Sequence, residues 1–141
     1  MAINLTQENK NMVQRFIEEG DKGNVDAFDD MIPPDAVDHS PFPGQPAGRE
    51  GVKYIFRMLK SAFPDMRTEV HEMVAEGDRV AVRSRIVCTH QGEFMGVPAS
   101  GKPVSIEGID ILRFENGKMV EHWGVYDAMG MMMQIGAIPT P

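Results

Sequence analysis

Asp110 is the residue from which a chemistry can be argued. It stands in the run Val104–Phe114, whose even positions Val104, Ile106, Leu112 and Phe114 are apolar, with Gly108 among them and Asp110 the only charge. Strand side chains alternate between faces, so these residues share one side of a strand. A carboxylate on such a face sits at a wet edge or lines a cavity, because burying it bare costs several kcal/mol. Asn116-Gly117 follows and then a second apolar-rich run, Met119–Asp127, which is the pattern of a tight hairpin. Two registers are open. A two-residue loop pairs Asp110 with Trp123 and leaves Asp127 further along the same face; a bulged loop pairs it with His122 and places Gly124 and Tyr126 on that face. Asp110, His122 and Asp127 are therefore the candidate acid/base groups, since proton transfer needs titratable side chains within hydrogen-bond reach.

The elements that must position them are legible from periodicity. Thr6 is read as an N-cap for a helix whose stripe is Met12, Val13, Phe16 and Ile17, ending at Gly20. A short second helix covers Val25–Met31, until Pro33-Pro34 forbids continuation. Ala36–His39 reads as a short strand before a Pro/Gly-rich loop, and a third helix spans Arg49–Phe63 up to Pro64. The period then changes to two. Met66, Thr68, Val70 and Val74 alternate with polar residues, Glu76-Gly77-Asp78 turns, and the even residues from Val80 to His90 form a buried face. An excursion over 91–101 leads to the hairpin, and Ala128–Gly136, with methionines at 129, 131, 132 and 133, forms a helix-like terminal segment that packs adaptably or lines a cavity. This order implies an α+β domain with helices segregated to one side of a curved antiparallel sheet, a form that leaves a pocket where the concave face is unfilled.

Composition bounds the function. The chain has 141 residues, enough for one domain that buries roughly two thirds of its unfolded surface. A net charge of −7 and the lack of any basic run argue against nucleic acid or an anionic membrane as partner. The single cysteine, Cys88, lies in an apolar strand and reads as an inert thiol. Met1–Leu5 lacks the form of a leader and no stretch is long enough to span a bilayer, so a cytoplasmic location is expected. Histidines 39, 71, 90 and 122 show no zinc-ligand spacing, and no phosphate-binding glycine loop is present. His39, Trp123, Tyr54 and His90 are the candidate ligand-contacting residues.

Several stretches carry a resemblance: Gly48-Arg49-Glu50-Gly51-Val52-Lys53, Ala62-Phe63-Pro64-Asp65, Glu76-Gly77-Asp78-Arg79-Val80, Thr89 to Gly101, Asp110-Ile111-Leu112-Arg113-Phe114, Glu121-His122-Trp123 and Gln134-Ile135-Gly136. The chain resembles the SnoaL-like polyketide cyclases, or predicted ester cyclases, of the nuclear transport factor 2-like superfamily. The resemblance implies a cone-shaped curved antiparallel sheet wrapped over three N-terminal helices, with a ligand cavity inside. It also implies intramolecular aldol ring closure or a related isomerisation of a small hydrophobic carbonyl compound, with no metal or organic cofactor. In the resembling cyclases a histidine and an aspartate do the chemistry; here those positions fall on Asp110 and Gly124, so Asp110 with His122, or Asp127, must take the roles. A non-catalytic ligand-binding protein of the same fold and an epoxide hydrolase-like activity are the alternatives. Apolar edges and the methionine-rich tail point to a homo-oligomer, dimer or tetramer.

Overall fold

The computed structural model describes residues 4–141; residues 1–3, part of the stretch read for a leader, lie outside the described residues. The first helix, α1, spans Leu5–Lys22 and is capped by Asn4, whose side chain accepts from the Gln7 amide. Thr6, expected as the cap, instead donates its hydroxyl to Asn4 Oδ1 at 2.8 Å. Nor does Gly20 end the helix, which closes at Gly23 with φ +76°. Gly20 is small for a packing reason: a Cβ there would lie 2.4 Å from Cε1 of Phe56. That contact lets Phe56 pack edge-to-face against Phe16 and Phe28, ring centroids in the trio 4.8–5.3 Å apart, an arrangement favourable beyond the area these rings bury.

A single 3-10 helix, Val25–Asp30, takes the place of the short second helix. It is followed by β1 (Val37–Asp38), α2 (Gly48–Ala62), β2 (Arg67–Glu76), β3 (Arg79–Thr89), β4 (Pro103–Glu115), β5 (Lys118–Tyr126) and α3 (Ala128–Gln134). The five strands form one sheet in the order β1-β5-β4-β3-β2. Neighbours are antiparallel except β1, which runs parallel to β5 with Asp38 beside His122, so the sheet is mixed rather than wholly antiparallel. That parallel pairing is what brings the first third of the chain to the site.

The even face of β3 is inward, with Val80, Val82, Ser84 and Cys88 buried. On β2 a bulge between Val70 and Glu72 reverses the alternation. Met73 and Ala75 therefore pack inward, and Val74, expected on the inner face, is exposed. Two apolar clusters result: one joins α1, the 3-10 helix and strands β3, β4 and β5 through Val13, Phe28, Val80, Leu112 and Met119, the other joins Phe63, Phe94, Ile106 and Ile135. Met131 and Met132 of α3 pack against the second cluster. Cys88 is buried there, and burial pushes its thiol up to about 11, which keeps it protonated and inert. No helix among the described residues is long and apolar enough to cross a membrane.

Candidate active site

The hairpin register decides the site. Asn116 and Gly117 both take positive φ, +50° and +75°, giving a two-residue turn that pairs Glu115 with Lys118 and Phe114 with Met119. One extra residue on β5 then shifts the register, so Arg113 faces Glu121, Leu112 faces His122 and Asp110 faces Gly124. Neither expected partner stands directly opposite Asp110. Phe114 and Met119 both point into the core, and the bulge that follows turns His122, Gly124 and Tyr126 onto the face of Asp110.

Gly124 leaves a gap across from Asp110, and the side chains on either side of it lean into that gap. His122 Nε2 lies 2.7 Å from Asp110 Oδ1, and the Tyr126 hydroxyl donates to the same oxygen. A second glycine, Gly108, makes room for the Tyr126 ring, since a Cβ there would lie 2.4 Å from Tyr126 Cδ1. From β1, Asp38 Oδ1 lies 2.9 Å from His122 Nδ1. Asp38 also accepts from the Ser40 amide at 2.9 Å and from Gln45 Nε2 at 3.0 Å. The result is a continuous chain, Asp38–His122–Asp110–Tyr126, drawn from three strands.

Electrostatics follow from that chain. Burial disfavours a charged imidazole at His122, but hydrogen bonds and charge from Asp110 and Asp38 outweigh it and raise its pKa to about 9. Burial likewise opposes ionisation of Asp38, yet the bonds from His122, Gln45 and the Ser40 amide hold it down at about 2. At neutral pH His122 is an imidazolium donating from both nitrogens to two carboxylates. The Tyr126 phenol, buried and beside the Asp110 charge, is pushed well above its usual range and stays protonated. The linkage has a definite sign. The stability due to His122 is complete below its ordinary value of 6.5 and is lost as pH rises through about 9; that due to Asp38 is present above 3.8 and is lost as pH falls through about 2. The melting temperature is accordingly expected to be highest between about pH 4 and 6.5 and to decline towards pH 10. A His122→Gln variant should lose the alkaline part of that decline in a series of thermal melts.

The chain lies in the wall of a cavity of about 310 Å³. Its lining is mostly apolar, with Val13, Phe16, Phe56, Phe63, Val82 and Leu112 among the walls. Asp38, Ser40, Gln45, Asp110, His122 and Tyr126 form one polar group in it, and Asp21 with Thr68 another. Among the described residues that line it there is no lysine or arginine.

Of the sequence candidates, the structure brings Asp110 and His122 together. Asp127 is outside the lining: it is the N-cap of α3, accepting from the Gly130 amide at 2.9 Å. His39 and Trp123 lie on the other face of β5, stacked at 4.7 Å, with His39 on Glu121 at 2.7 Å and the Arg79 guanidinium 5.0 Å from the indole. Tyr54 is exposed on α2. His90 is fully buried, its Nδ1 accepting from the Ser100 amide at 3.2 Å, so it closes the base of the 91–101 excursion and does not line the cavity. Sequence reasoning missed Asp38 and Gln45, which no local pattern ties to His122, and it named Tyr126 only as a neighbour in one of two registers.

With the geometry in place, comparison with known proteins identifies the relatives. The family model for SnoaL-like polyketide cyclases matches residues 11–135. The chain belongs to this family. Among curated relatives, the aklanonic acid methyl ester cyclase DnrD of Streptomyces peucetius is 29% identical over 137 residues, covering 92% of each chain. Among solved structures, IdmH of Streptomyces antibioticus is 34% identical with a TM-score of 0.80, covering 91% of this chain and 98% of its own. TsrD of Streptomyces laurentii superposes with a TM-score of 0.86 at 26% identity, over 98% of this chain and all of its own (100%). The α+β architecture, helices against an open five-stranded sheet, is thus that of the SnoaL-like cyclases.

Proposed function

We propose that this chain is an acid/base enzyme that needs no cofactor and acts on a small, uncharged, hydrophobic carbonyl compound, closing a ring by intramolecular aldol condensation or moving a double bond. One observation carries the reading: a carboxylate in the wall of a mostly apolar cavity, with both of its hydrogen bonds falling on Oδ1, from the His122 imidazolium and the Tyr126 phenol. Oδ2 is then the oxygen that takes a proton from the carbon next to a substrate carbonyl.

The proton balance is simple. As Asp110 gains the proton its charge is neutralised, its hold on the two donors weakens, and His122 Nε2–H or the Tyr126 O–H is free to meet the enolate oxygen. In a cyclisation the enolate carbon attacks a second carbonyl, and the alkoxide so formed recovers the proton from Asp110. His122 is a fixed positive charge in this scheme and not the base. The lining holds no lysine or arginine among the described residues, and its one cation, the His122 imidazolium, is already paired with Asp38 and Asp110, which favours substrates whose acid groups are masked; the curated relative DnrD is named for a methyl ester.

The test is turnover of neutral polyketone and keto-ester compounds, followed as kcat/KM against pH. The alkaline limb is expected near 9, where the imidazolium is lost. A limb rising through pH 6 to 7 with no decline near 9 contradicts this assignment and makes His122 the base. Tight binding of every neutral compound with no turnover reassigns the cavity to ligand sequestration.

A further inference from the structure

Asp38 touches no position a reacting atom would occupy in the scheme above, yet it has more partners than any other side chain at the site. Its Oδ1 accepts from Ser40 N–H and faces His122 Nδ1, both at 2.9 Å, while Oδ2 accepts from Gln45 Nε2 at 3.0 Å. Gln45 in turn accepts the Phe42 amide at 3.0 Å, and Ser40 Oγ accepts the Gly124 amide at 3.0 Å. The segment 40–45 contains Pro41, Pro43 and Gly44 and has no helix or strand of its own. Its shape depends on these bonds. Ser40, Phe42 and Gln45 line the cavity, so the segment forms one lip of it.

We propose that Asp38 is the positioning residue of this site: one carboxylate orients the His122 ring and, through Ser40 and Gln45, folds the 40–45 segment over the cavity. The inference rests on the reading of Asp110 and His122 as the reactive pair. The charge on the ring and the closure of the lip then share a single anchor. The groups facing the His122 ring are Asp38 from β1, Asp110 from β4 and, through Asp110, Tyr126 of β5; Glu121 next to it is turned to Arg113 and His39. Removing the Asp38 charge leaves the ring one carboxylate where it had two. It also releases the lip.

A role in shape alone predicts a different pattern from a role through His122. The experiment is an NMR titration of histidine-labelled protein, with amide hydrogen exchange over residues 40–47, in the parent, Asp38→Asn and Gln45→Ala. Asp38→Asn is expected to lower the His122 midpoint by about one unit or more and to speed exchange in the segment. Gln45→Ala should speed exchange and leave the midpoint in place. Should Asp38→Asn fail to fold, Asp38→Glu reads the same coupling, because the added methylene displaces the carboxylate from all three donors at once, and midpoint and exchange must then move together. A midpoint within about 0.2 units of the parent in Asp38→Asn, or movement of one readout alone in Asp38→Glu, overturns the proposal. No substrate enters these measurements, so they stand apart from the turnover test: failure of turnover leaves them intact, and their failure leaves Asp110 as base.

Discussion

Asp110→Asn is expected to lower turnover by about three orders of magnitude, within the range that a positioned general base supplies, while the protein keeps its fold. The amide is close to isosteric, and its carbonyl oxygen can still accept from Tyr126 and His122 at the places where Asp110 Oδ1 does so now. What it cannot do is take up a proton. The same change at Asp127 is a sharp control. Asp127 caps α3, and asparagine caps a helix about as well as aspartate, so Asp127→Asn should leave turnover and melting temperature near those of the parent. Measuring kcat for both variants, with circular dichroism to confirm folding, separates the two carboxylates that the sequence alone left as rivals. Equal losses at both positions, or parent-like turnover in Asp110→Asn, overturn the assignment of the base.

Why the rivalry existed is a matter of register. The turn itself was legible, because Asn-Gly accepts two consecutive positive φ values at low cost. The extra residue on β5 was not, because it answers to packing at a distance: Phe114 and Met119 both enter the core beside Val80 and Leu112, and the chain must then change face for His122 and Tyr126 to reach Asp110. Gly20 shows the same limit, reading locally as a helix stop while the Phe56 ring that requires it comes from α2. Alternation on β3 and helical spacing on α2 were readable since each is fixed by neighbours a few residues away. Asp38 lay beyond such reasoning. Nothing within the Ala36–His39 stretch announces that it will lie parallel to a strand more than eighty positions later, and that pairing alone sets its carboxylate against His122.

Gly124→Ala is the other change with a large expected effect, and its cost should appear in activity far more than in stability. A Cβ at position 124 would lie 2.8 Å from Asp110 Oδ1, 2.9 Å from the Tyr126 hydroxyl oxygen and 3.0 Å from His122 Cε1. All three are the outer atoms of side chains, so they can swing aside, and the loss of stability should be about 1 kcal/mol, at the low end of overpacking costs. Swinging aside separates the atoms that hold one another, however. Turnover is expected to fall by about a hundredfold, the scale on which misplaced catalytic groups lose rate. Gly124→Asp should fall further, because it adds a second carboxylate beside Asp110. The resemblance gives this a wider meaning. The SnoaL-like cyclases that close polyketide rings are expected to carry histidine at position 110 and aspartate at position 124, whereas this chain has a carboxylate on β4, an imidazole on β5 two residues before position 124, and no side chain at 124 itself. Each departure requires the other, since the space vacated at Gly124 is the space that the Asp110–His122–Tyr126 contacts occupy. Melting temperature and kcat measured together on Gly124→Ala decide the point: parent-like turnover would mean that the reacting atoms lie elsewhere in the cavity, and an unfolded protein would mean that Gly124 serves the sheet and not the site.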